Sequence, residues 1–530
     1  MRRGTGTLEP QLEAPPAVPA RQGDFFGDQP PSFAPATMRA GAARIGVVDV
    51  GSNSVRMVVF EGHCRSPAIV FNEKVMCGLG ASLQQTGALD PQGKVRAMSA
   101  LRRFAALAPG LHVGALSGVG TAAIRDAVDG PAFRDQIYEE TGIRLAIASG
   151  ADEARLAAQG VLYGNPRADG VVIDLGGASL EFTRINRGRV SHGLSTSLGP
   201  LRLNPFLMRS EEAFFDEIGR ELERLGDDFT LDGGTLYLVG GSWRALAKIH
   251  MDRSAYPMKV IHEFRIGRED AQELCRYVAA SQPEDLTAQH GVSASRVGFM
   301  PLAARLLTRV IDKVTPDQLQ MSGFGLREGI CLENLPESIR VQDPLIAACQ
   351  EQELRRARAP GFGAELGDWL LMAMPSRNGH EARLIRAAAI LADVNWRTHP
   401  DFRADGCWET ITRTSITDLG HEGRVWLGSV LISRYKTRAR RRLEQMPEMD
   451  LLEPGDLDRA ERVGLALRLG ITLSGAAQGV LPYSSLIVEE GQLVLEIDAG
   501  IRSFVGEEVE KRLGQLARTM ELEWELRFRQ

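Results

Sequence analysis

The sequence contains few residues of the kinds that cross-link a chain or anchor it in a membrane. Its six cysteines are scattered over 530 residues and form no Cys-x-x-Cys pair. This argues against a zinc site and a disulfide framework, and it suits a reducing cytoplasm. No run approaches the ~18 apolar residues of a membrane-spanning helix. We therefore expect a cytoplasmic protein with no membrane partner. The cysteines are Cys64, Cys77, Cys275, Cys331, Cys349 and Cys407.

An excess of positive charge is also missing, since the net charge is −6. The composition therefore gives no support for nucleic acid as a specific partner, although a local basic groove could still bind a polyanion. Hydrophobic residues make up 44% and charged residues 25% of the chain, as in soluble globular proteins. The length suits about three or four domains.

Residues 1–40 lack the pattern of a folded segment. They hold seven of the 26 prolines, few aliphatic residues and no apolar run typical of a secretory signal. Such a stretch cannot bury enough apolar surface to fold. We expect a disordered leader, with Met38 as an alternative start.

The most informative stretch is residues 170–181, which reads GVVIDLGGASLE. Three apolar residues predict a short buried strand that ends at Asp174, and Gly176 and Gly177 form a bare loop before Glu181. Glycines let backbone N–H groups turn towards an anion. A carboxylate beside such a loop would repel phosphate unless a cation lay between them, and oxygen ligands suit Mg²⁺. The stretch predicts a metal–phosphate site.

A similar unit occurs upstream, where residues 44–54 read RIGVVDVGSNS, with Asp49 before Gly51. We expect strands over Ile45–Val50 and Val55–Glu61. Repeated strand-Asp-x-Gly units suggest a duplicated α/β fold with one phosphate loop from each half, gripping a phosphate chain from both sides. The alternative is two ordinary strand-to-turn junctions, where Asp and Gly are common.

Two polar residues follow predicted strands between these loops. Residues 117–126 contain a G-x-G-x-x-A pattern, but the next strand lacks the terminal acid of a dinucleotide site. Arg125 in this segment is a candidate phosphate clamp, or else a solvated surface arginine. Glu153 lies in the first turn of a predicted helix, where the helix dipole stabilises a carboxylate. It is a candidate general base, although spacing alone favours the simple dipole role.

The C-terminal half has a different character. Helical patterns at Leu366–Met374, Ala382–Ala392 and Val425–Ile432 predict an all-α module. Histidines and aspartates occur there, but no adjacent His-Asp pair, so we favour a metal-free helical domain. A hairpin at Leu486–Glu489 and Leu493–Ile497 indicates a small α+β unit near the end.

The densest basic run in the chain admits two interpretations, between which the sequence does not decide. It is either a solvated helix face or a rail for a long polyanion. Its residues are Arg434, Lys436, Arg438, Arg440, Arg441 and Arg442.

Six motifs in order over about 290 residues resemble the exopolyphosphatase/guanosine pentaphosphate phosphohydrolase family, within the actin/sugar-kinase/heat-shock ATPase fold. They are residues 49–56 (DVGSNSVR), 121–125 (TAAIR), 149–155 (SGADEAR), 174–181 (DLGGASLE), 240–242 (GGS) and 322–328 (SGFGLRE).

The resemblance implies an α/β fold of duplicated actin-like ATPase (ribonuclease H-like) domains, followed by an all-α HD-like domain without metal ligands and a small α+β domain. The corresponding ranges are 41–165, 166–336, 337–445 and 446–530.

The activity implied by the resemblance is Mg²⁺-dependent, processive release of terminal phosphate from inorganic polyphosphate. Mn²⁺ is an alternative metal, K⁺ an activator, and a homodimer the expected assembly. Three other functions stay open: removal of the 5′ γ-phosphate from the alarmone pppGpp, phosphate transfer from polyphosphate to ADP, and non-catalytic sensing of polyphosphate or alarmones.

The resemblance also assigns roles to residues. Glu153 falls on the catalytic base, Asp174 and Glu181 fall on metal and water-positioning carboxylates, and Arg125 falls on a phosphate-binding arginine. The three acids together form the expected metal set. Ala178 stands where the family usually has a third glycine, a change that we expect the loop to tolerate. The expected phosphate-binding residues are Asp49, Gly51, Ser52, Asn53, Ser54, Arg56, Gly176, Gly177, Ala178, Ser179, Gly240, Gly241 and Ser242.

Overall fold

Two mixed β-sheets with the same strand order lie in the N-terminal half of the chain. The structure is a computed structural model that describes residues 44–61, 64–436 and 438–529. In the first sheet the order is β3-β2-β1-β4-β5, with β1 to β3 antiparallel and β4 and β5 parallel to β1. Its strands are β1 (Arg44–Val50), β2 (Ser54–Glu61), β3 (Ala68–Met76), β4 (Val113–Gly120) and β5 (Leu145–Ile147).

The second sheet repeats this order and adds one strand. It runs β8-β7-β6-β9-β11-β10, again with an antiparallel meander followed by parallel neighbours of the first strand. Its strands are β6 (Gly170–Leu175), β7 (Leu180–Asn186), β8 (Arg189–Thr196), β9 (Thr235–Val239), β10 (Arg265–Gly267) and β11 (Gln318–Met321). The predicted α/β class is confirmed, and the repeated order follows from the two strand-Asp-x-Gly units.

The helices of this half connect and cover the two sheets. They are α1 (Leu83–Thr86), α2 (Pro91–Gly110), α3 (Ala122–Asp126), α4 (Gly130–Thr141), α5 (Gly150–Gly164), α6 (Pro200–Arg209), α7 (Glu211–Glu223), α8 (Gly241–Arg253), α9 (Arg268–Ala280), α10 (Pro283–His290), α11 (Ala294–Val297), α12 (Met300–Val314) and α13 (Leu326–Glu333), with a 3₁₀ turn at Asp227–Phe229. Helix α5 packs on β6, β7 and β8 of the second sheet and on α13. It is thus a structural part of the second half, although it precedes β6.

Helices α5 and α13 are in backbone contact. A Cβ atom on Gly160 would lie 2.1 Å from the carbonyl oxygen of Gly325, and one on Gly329 would lie 1.9 Å from that of Leu156. Only residues without a side chain permit such an approach. The contact therefore fixes how the two helices sit against each other.

The C-terminal half is built around one hydrophobic core. The predicted helical region and the predicted α+β unit share it, since buried residues from Leu345 to Ala517 form one cluster. Across this cluster, the Trp369 indole Nε1 donates to Ser484 Oγ at 3.1 Å.

The elements of this half begin with α14 (Glu337–Arg340), α15 (Pro344–Arg356), α16 (Phe362–Ala373), α17 (Gly379–Leu391), α18 (Arg403–Arg413), α19 (His421–Tyr435), α20 (Arg440–Leu443), α21 (Asp456–Ser474) and α22 (Glu507–Thr519). The strands are β12 (Ser484–Glu489), β13 (Gln492–Asp498) and β14 (Glu523–Arg529), and 3₁₀ turns lie at Pro400–Phe402, Pro447–Leu451, Leu481–Tyr483 and Ala499–Phe504.

Several local predictions for this half can be compared with the structure. The predicted hairpin is confirmed as the antiparallel pair β12–β13. The three predicted helices are present as α16, α17 and α19, and each begins three or four residues before its predicted range. In the described part of the chain, no helix has both the length and the apolar character to cross a membrane. The predicted leader, residues 1–40, lies outside the described residues.

The glycine contact between α5 and α13 leads to a stability prediction. Gly160→Ala places a methyl group against the Gly325 backbone, and such overpacking costs about 1–3 kcal/mol. Gly219→Ala in α7 is the matched control, because a Cβ there meets no atom within 4 Å. It should be neutral or stabilise by up to about 1 kcal/mol. Urea unfolding midpoints measure both. Equal midpoints for the two variants would contradict the contact.

Candidate active site

Two glycine loops, one from each sheet, close with the same hydrogen bond. Gly51 N donates to Ser54 O at 3.0 Å, and Gly176 N donates to Ser179 O at 3.0 Å. The loops also meet, because a Cβ atom on Gly177 would lie 3.1 Å from Asn53 Nδ2. The duplication therefore reaches the level of single hydrogen bonds, and it brings both loops to one place.

The strands that flank each loop carry paired side chains. Asp49 on β1 lies opposite Arg56 on β2, and Asp174 on β6 lies opposite Glu181 on β7. Residues directly opposite in an antiparallel pair project to the same face of the sheet. The two halves thus present equivalent positions with different chemistry: an acid and an arginine in the first, and two acids in the second.

A cleft of about 280 Å³ contains both loops and the expected catalytic acids. Of the residues predicted from the sequence, those in its lining are Asp49, Gly51, Ser52, Asn53, Ser54, Arg56, Glu153, Asp174, Gly176, Gly177, Ala178, Ser179, Glu181, Gly240, Gly241 and Ser242. Ala178 is buried, so its methyl group fits inside the loop without enlarging it.

Glu153 lies in the first turn of α5 but does not cap it. Asp152 forms the capping box with Ser149, which leaves Glu153 free to face the cleft. Its carboxylate is ion-paired with Arg125, whose guanidinium also donates to the carbonyl oxygen of Ala148 at 2.9 Å. Arg125 is absent from the cleft lining and reaches the site through Glu153. The geometry therefore favours the role of general base for Glu153 over that of a carboxylate that only complements the helix dipole.

Burial raises the pKa of each of the three acids expected to act together, and neighbouring carboxylates add to the shift. Burial raises the pKa of Glu153 to about 7, with Arg125 opposing this shift and Asp49 and Asp174 adding to it. Burial likewise raises the pKa of Asp174 to about 6. Burial, Glu153 and Asp174 raise the pKa of Glu181 well above its ordinary value, against a hydrogen bond from Ser195 Oγ at 2.9 Å. A cation or a proton would relieve this repulsion.

The acids fit a shared Mg²⁺ site better than a cage made by protein alone. In residues 44–61, 64–436 and 438–529, no three acidic, histidine or cysteine side chains are grouped closely enough to hold a metal ion. Asp174 and Glu181 are nevertheless neighbours across β6–β7 and line the cleft beside a phosphate loop. Mg²⁺ uses one or two carboxylates and fills its other positions with phosphate and water. These two residues match that pattern.

Four basic residues in the cleft were missed from the sequence as site residues: Lys74, Arg244, Arg296 and Arg327. Arg327 pairs with Asp49 at 2.8 Å. Arg327 lies two residues after Gly325 and Arg244 lies three residues after Gly241, so their positions within or next to a glycine motif were the available signal. Lys74 and Arg296 have no local signal, since only the fold brings them here.

Like charges crowd this side of the cleft. Burial, followed by Arg327, lowers the pKa of Arg56 to about 10. Burial and then neighbouring arginines also lower the pKa values of Lys74 and Arg244. Mutual repulsion of this kind favours a bound anion.

The basic run predicted as a polyanion rail lies away from the cleft and is compensated by acids. Arg434 is largely buried and stacks on Tyr435 at 3.8 Å. Arg438 and Arg441 are exposed. The other members form ion pairs: Arg440 with Glu444 and Asp458, and Lys436 and Arg442 with Asp405. The arrangement resembles an ion-paired surface more than an open rail.

The aspartates of the helical module are held by arginines. Arg358 donates to both oxygens of Asp393, at 2.8 and 2.7 Å, and Arg383 donates to Asp418 at 2.5 Å. Both carboxylates therefore already have charged partners within the protein.

Together, the α/β fold and a cleft that places two glycine loops beside clustered acids are typical of phosphoryl-transfer enzymes. The chain belongs to the Ppx/GppA phosphatase family, whose profile matches residues 58–338. A second profile, the exopolyphosphatase C-terminal domain, matches residues 345–525.

Individual relatives are distant but cover much of the chain. Retrograde regulation protein 2 of Saccharomyces cerevisiae is 25% identical, and the match covers 79% of this chain and 77% of the yeast protein. A guanosine-5′-triphosphate,3′-diphosphate pyrophosphatase of Photobacterium profundum is 24% identical over 85% of this chain and 91% of its own. A solved exopolyphosphatase structure from Cytophaga hutchinsonii is 23% identical, with 54% of this chain and 96% of that chain covered and a TM-score of 0.48.

The placement of Glu153 predicts a selective loss of catalysis. Glu153→Gln keeps the shape of the side chain but removes its basicity, so kcat for phosphate release should fall by roughly 10²–10⁴-fold with little change in KM. The control is Asp152→Asn on the same turn, which should keep kcat because Asp152 caps the helix. Near-normal turnover in Glu153→Gln would exclude the residue as the base.

The ion pair of Arg125 predicts a shift in the pH profile. Arg125 opposes the raised pKa of Glu153, so Arg125→Gln should raise that pKa further above about 7. A general base acts when deprotonated, and the acid limb of kcat should therefore move to higher pH. Arg125→Lys keeps a positive charge beside Glu153, so its acid limb should lie closer to that of the wild type. A profile of kcat against pH from 5 to 10 tests this, and an unchanged limb would contradict it.

Proposed function

We propose that the protein is an exopolyphosphatase, which releases terminal orthophosphate processively from inorganic polyphosphate. The observation that carries the proposal is that one cleft contains both acidic and basic side chains. A cluster of acids lies beside the two phosphate loops, and five basic side chains line the same cleft. The basic residues are Arg56, Lys74, Arg244, Arg296 and Arg327. The match of residues 345–525 to an exopolyphosphatase C-terminal domain supports it.

The reaction uses the acids and the loops in separate roles. The glycine loops at 51–53 and 176–179 hold the terminal phosphoryl group through backbone N–H groups. Glu153 orients a water molecule and accepts its proton as the oxygen attacks phosphorus. The bond to the bridging oxygen breaks, and the shortened chain leaves with that oxygen. Because the transition state is loose, positioning and charge neutralisation supply most of the rate.

Asp174 and Glu181 would hold Mg²⁺ in this proposal, with Glu153 at its edge. When bound, the ion would neutralise charge on the phosphoryl oxygens. Such an ion would stabilise the ionised form of Glu181, whose pKa is raised by burial, Glu153 and Asp174. Mn²⁺ is an alternative for the same oxygen ligands.

The basic residues would receive the rest of the polyphosphate chain. Each successive phosphate carries a negative charge, and a run of guanidinium groups matches a chain of them better than a single small anion. Chain binding relieves the repulsion that lowers the pKa values of Arg56, Lys74 and Arg244. This gives the cleft a direction, with hydrolysis at the acids and chain exit along the arginines.

The second candidate substrate is pppGpp. Phe299 lines the same cleft, in a chain segment with Arg296, and offers an aromatic face for a base. The Photobacterium profundum relative is named for a guanosine nucleotide. A catalytically silent sensor is disfavoured, since a protein that only binds phosphate needs no general base such as Glu153. Phosphate transfer to ADP would require an adenosine site beside Gly240, for which the lining offers no further support.

Further properties are proposed on the resemblance of the motifs alone. They are two actin-like domains around the two sheets, an HD-like helical domain, a homodimer, activation by K⁺ and a cytoplasmic location.

Comparing substrates side by side tests the proposal. Phosphate release should be faster on long-chain polyphosphate than on pppGpp by about tenfold in kcat/KM, the effect of ~1.4 kcal/mol of additional interaction. EDTA should abolish release and excess Mg²⁺ should restore it, with Glu153→Gln as the background control. A preference for pppGpp would assign the second candidate instead. ATP formed from ADP and polyphosphate would indicate the transferase, and binding without turnover would indicate the sensor.

A further inference from the structure

The C-terminal end of α5 is held by parts of the chain that are distant in sequence. A helix leaves its last four carbonyl groups without partners inside the helix. Here Arg65 donates to the carbonyl oxygens of Leu162 and Tyr163, at 3.1 and 3.0 Å. The backbone N–H of Asp418 donates to the carbonyl oxygen of Gly164 at 2.7 Å. Together with Asn165 N, which donates to Val161 O at 2.8 Å, these bonds satisfy all four carbonyl groups.

Arg65 comes from the segment between β2 and β3 of the first sheet. It is only 1% exposed, and its guanidinium lies 5.5 Å from the centre of the Tyr163 ring. Its Nε donates to the carbonyl oxygen of Arg340 at 3.1 Å. A positive charge at a helix C-terminus is favourable because the helix dipole is negative there. Arg65 therefore binds α5 through both charge and geometry.

The second contact comes from the helical module, through the loop at residues 414–420, here called the docking loop. A fully buried arginine, Arg424, braces this loop from inside, since its guanidinium donates only to backbone carbonyl groups. Their distances are 3.1 Å to Leu419 O, 2.8 Å to Ile411 O, 2.8 Å to Thr414 O and 3.0 Å to Ile416 O. The docking loop is thus a rigid element.

Side chains of the docking loop add further contacts to the N-terminal half. Thr417 Oγ1 donates to Ser66 Oγ at 2.8 Å, next to Arg65 in the chain. Asp418 pairs with Arg167, just beyond α5, at 3.3 Å, and with Arg383 of its own module. Asp418 also has a φ of +52°, a left-handed conformation that is unfavourable for most residues. The conformation is maintained because these contacts hold it.

A displacement of this end of α5 would reach the other end. Glu153 lies 11 residues before Gly164, or roughly 16 Å along the helix. Midway, Gly160 is in backbone contact with Gly325, which precedes α13 and Arg327. Since a helix transmits axial movement, the position of Glu153 depends on where the C-terminal end of α5 is held.

We infer that Arg65 and the docking loop form a clamp that positions the catalytic base by holding the opposite end of its helix. Arg65, Thr417 and Asp418 are positioning residues in this role, and none of them touches the cleft. The inference rests on the proposed function, in which Glu153 activates water. It gives the C-terminal half a part in catalysis that requires no contact with substrate.

The experiment compares four variants of the full-length chain. Arg65→Met removes the guanidinium, and Arg65→Lys keeps the charge without the forked geometry. Asp418→Asn removes the charge that pairs with Arg167 and Arg383, yet tolerates the left-handed backbone. Arg358→Met is the matched control, because it removes the ion pair between a half-exposed arginine and the buried Asp393, which does not touch α5.

Kinetics give the first readout, with long-chain polyphosphate or pppGpp as the substrate, whichever the wild type hydrolyses. In Arg65→Met, kcat should fall by about 10–100-fold, the cost of a misplaced catalytic group. KM should stay within about twofold, because the phosphate loops are untouched. Arg65→Lys should recover part of kcat, and Asp418→Asn should show a smaller change of the same kind.

Hydrogen exchange gives the second readout and does not depend on activity. Amides of residues 150–157 should exchange faster in Arg65→Met than in the wild type and in Arg358→Met. If the wild type releases phosphate from neither substrate, the proposed function fails, and hydrogen exchange still tests the clamp. The clamp is overturned if Arg65→Met matches Arg358→Met in exchange at residues 150–157, or if kcat stays unchanged in a hydrolase. Should Arg65→Met not fold, the same criteria apply to Asp418→Asn.

Discussion

Repulsion between carboxylates buried in one cleft is the constraint on which the rest of the site depends. Burial raises the pKa values of Glu153, Asp174 and Glu181, and repulsion adds to it, from Asp174 at Glu153 and from both Glu153 and Asp174 at Glu181. Such an arrangement destabilises the folded protein unless a group of opposite charge lies beside it. Arg125 supplies part of that charge at Glu153, and Arg327 supplies part of it at Asp49. What remains uncompensated is suited to a cation and a phosphoryl group, which arrive together with the substrate.

The duplicated sheets give this site its asymmetry. Both halves place an aspartate at the end of their first strand and a glycine loop after it, closed by the same hydrogen bond. The residue facing the aspartate differs, being Arg56 in the first half and Glu181 in the second. At these two equivalent positions the first half therefore carries a positive charge and the second a negative charge. A symmetric scaffold with unequal side chains gives an asymmetric site.

The C-terminal half supports this site from a distance. Its helices and its small sheet share one core, so they act as one body. The braced docking loop and Arg65 join that body and the first sheet to the end of α5, the helix whose other end carries Glu153. The basic run of the sequence is partly ion-paired with acids such as Asp405 and Asp458, whereas Arg438 and Arg441 are exposed. Charge density along a chain does not reveal the acids that the fold will place beside it.

The sequence by itself determined the α/β class, the two strand-Asp-x-Gly units and the loops they form, because strand periodicity and glycine loops are local properties. It also identified Asp174 and Glu181, which are seven residues apart on one hairpin. Spacing did not establish a role for Glu153, since a first-turn acid is equally a dipole partner. Only the tertiary structure brought Lys74 and Arg296 into the cleft, and only it placed Arg65 and Asp418 at the end of α5. The contacts around that end join residues up to 351 positions apart, as Thr417 and Ser66 are, and no local pattern encodes a meeting at that separation.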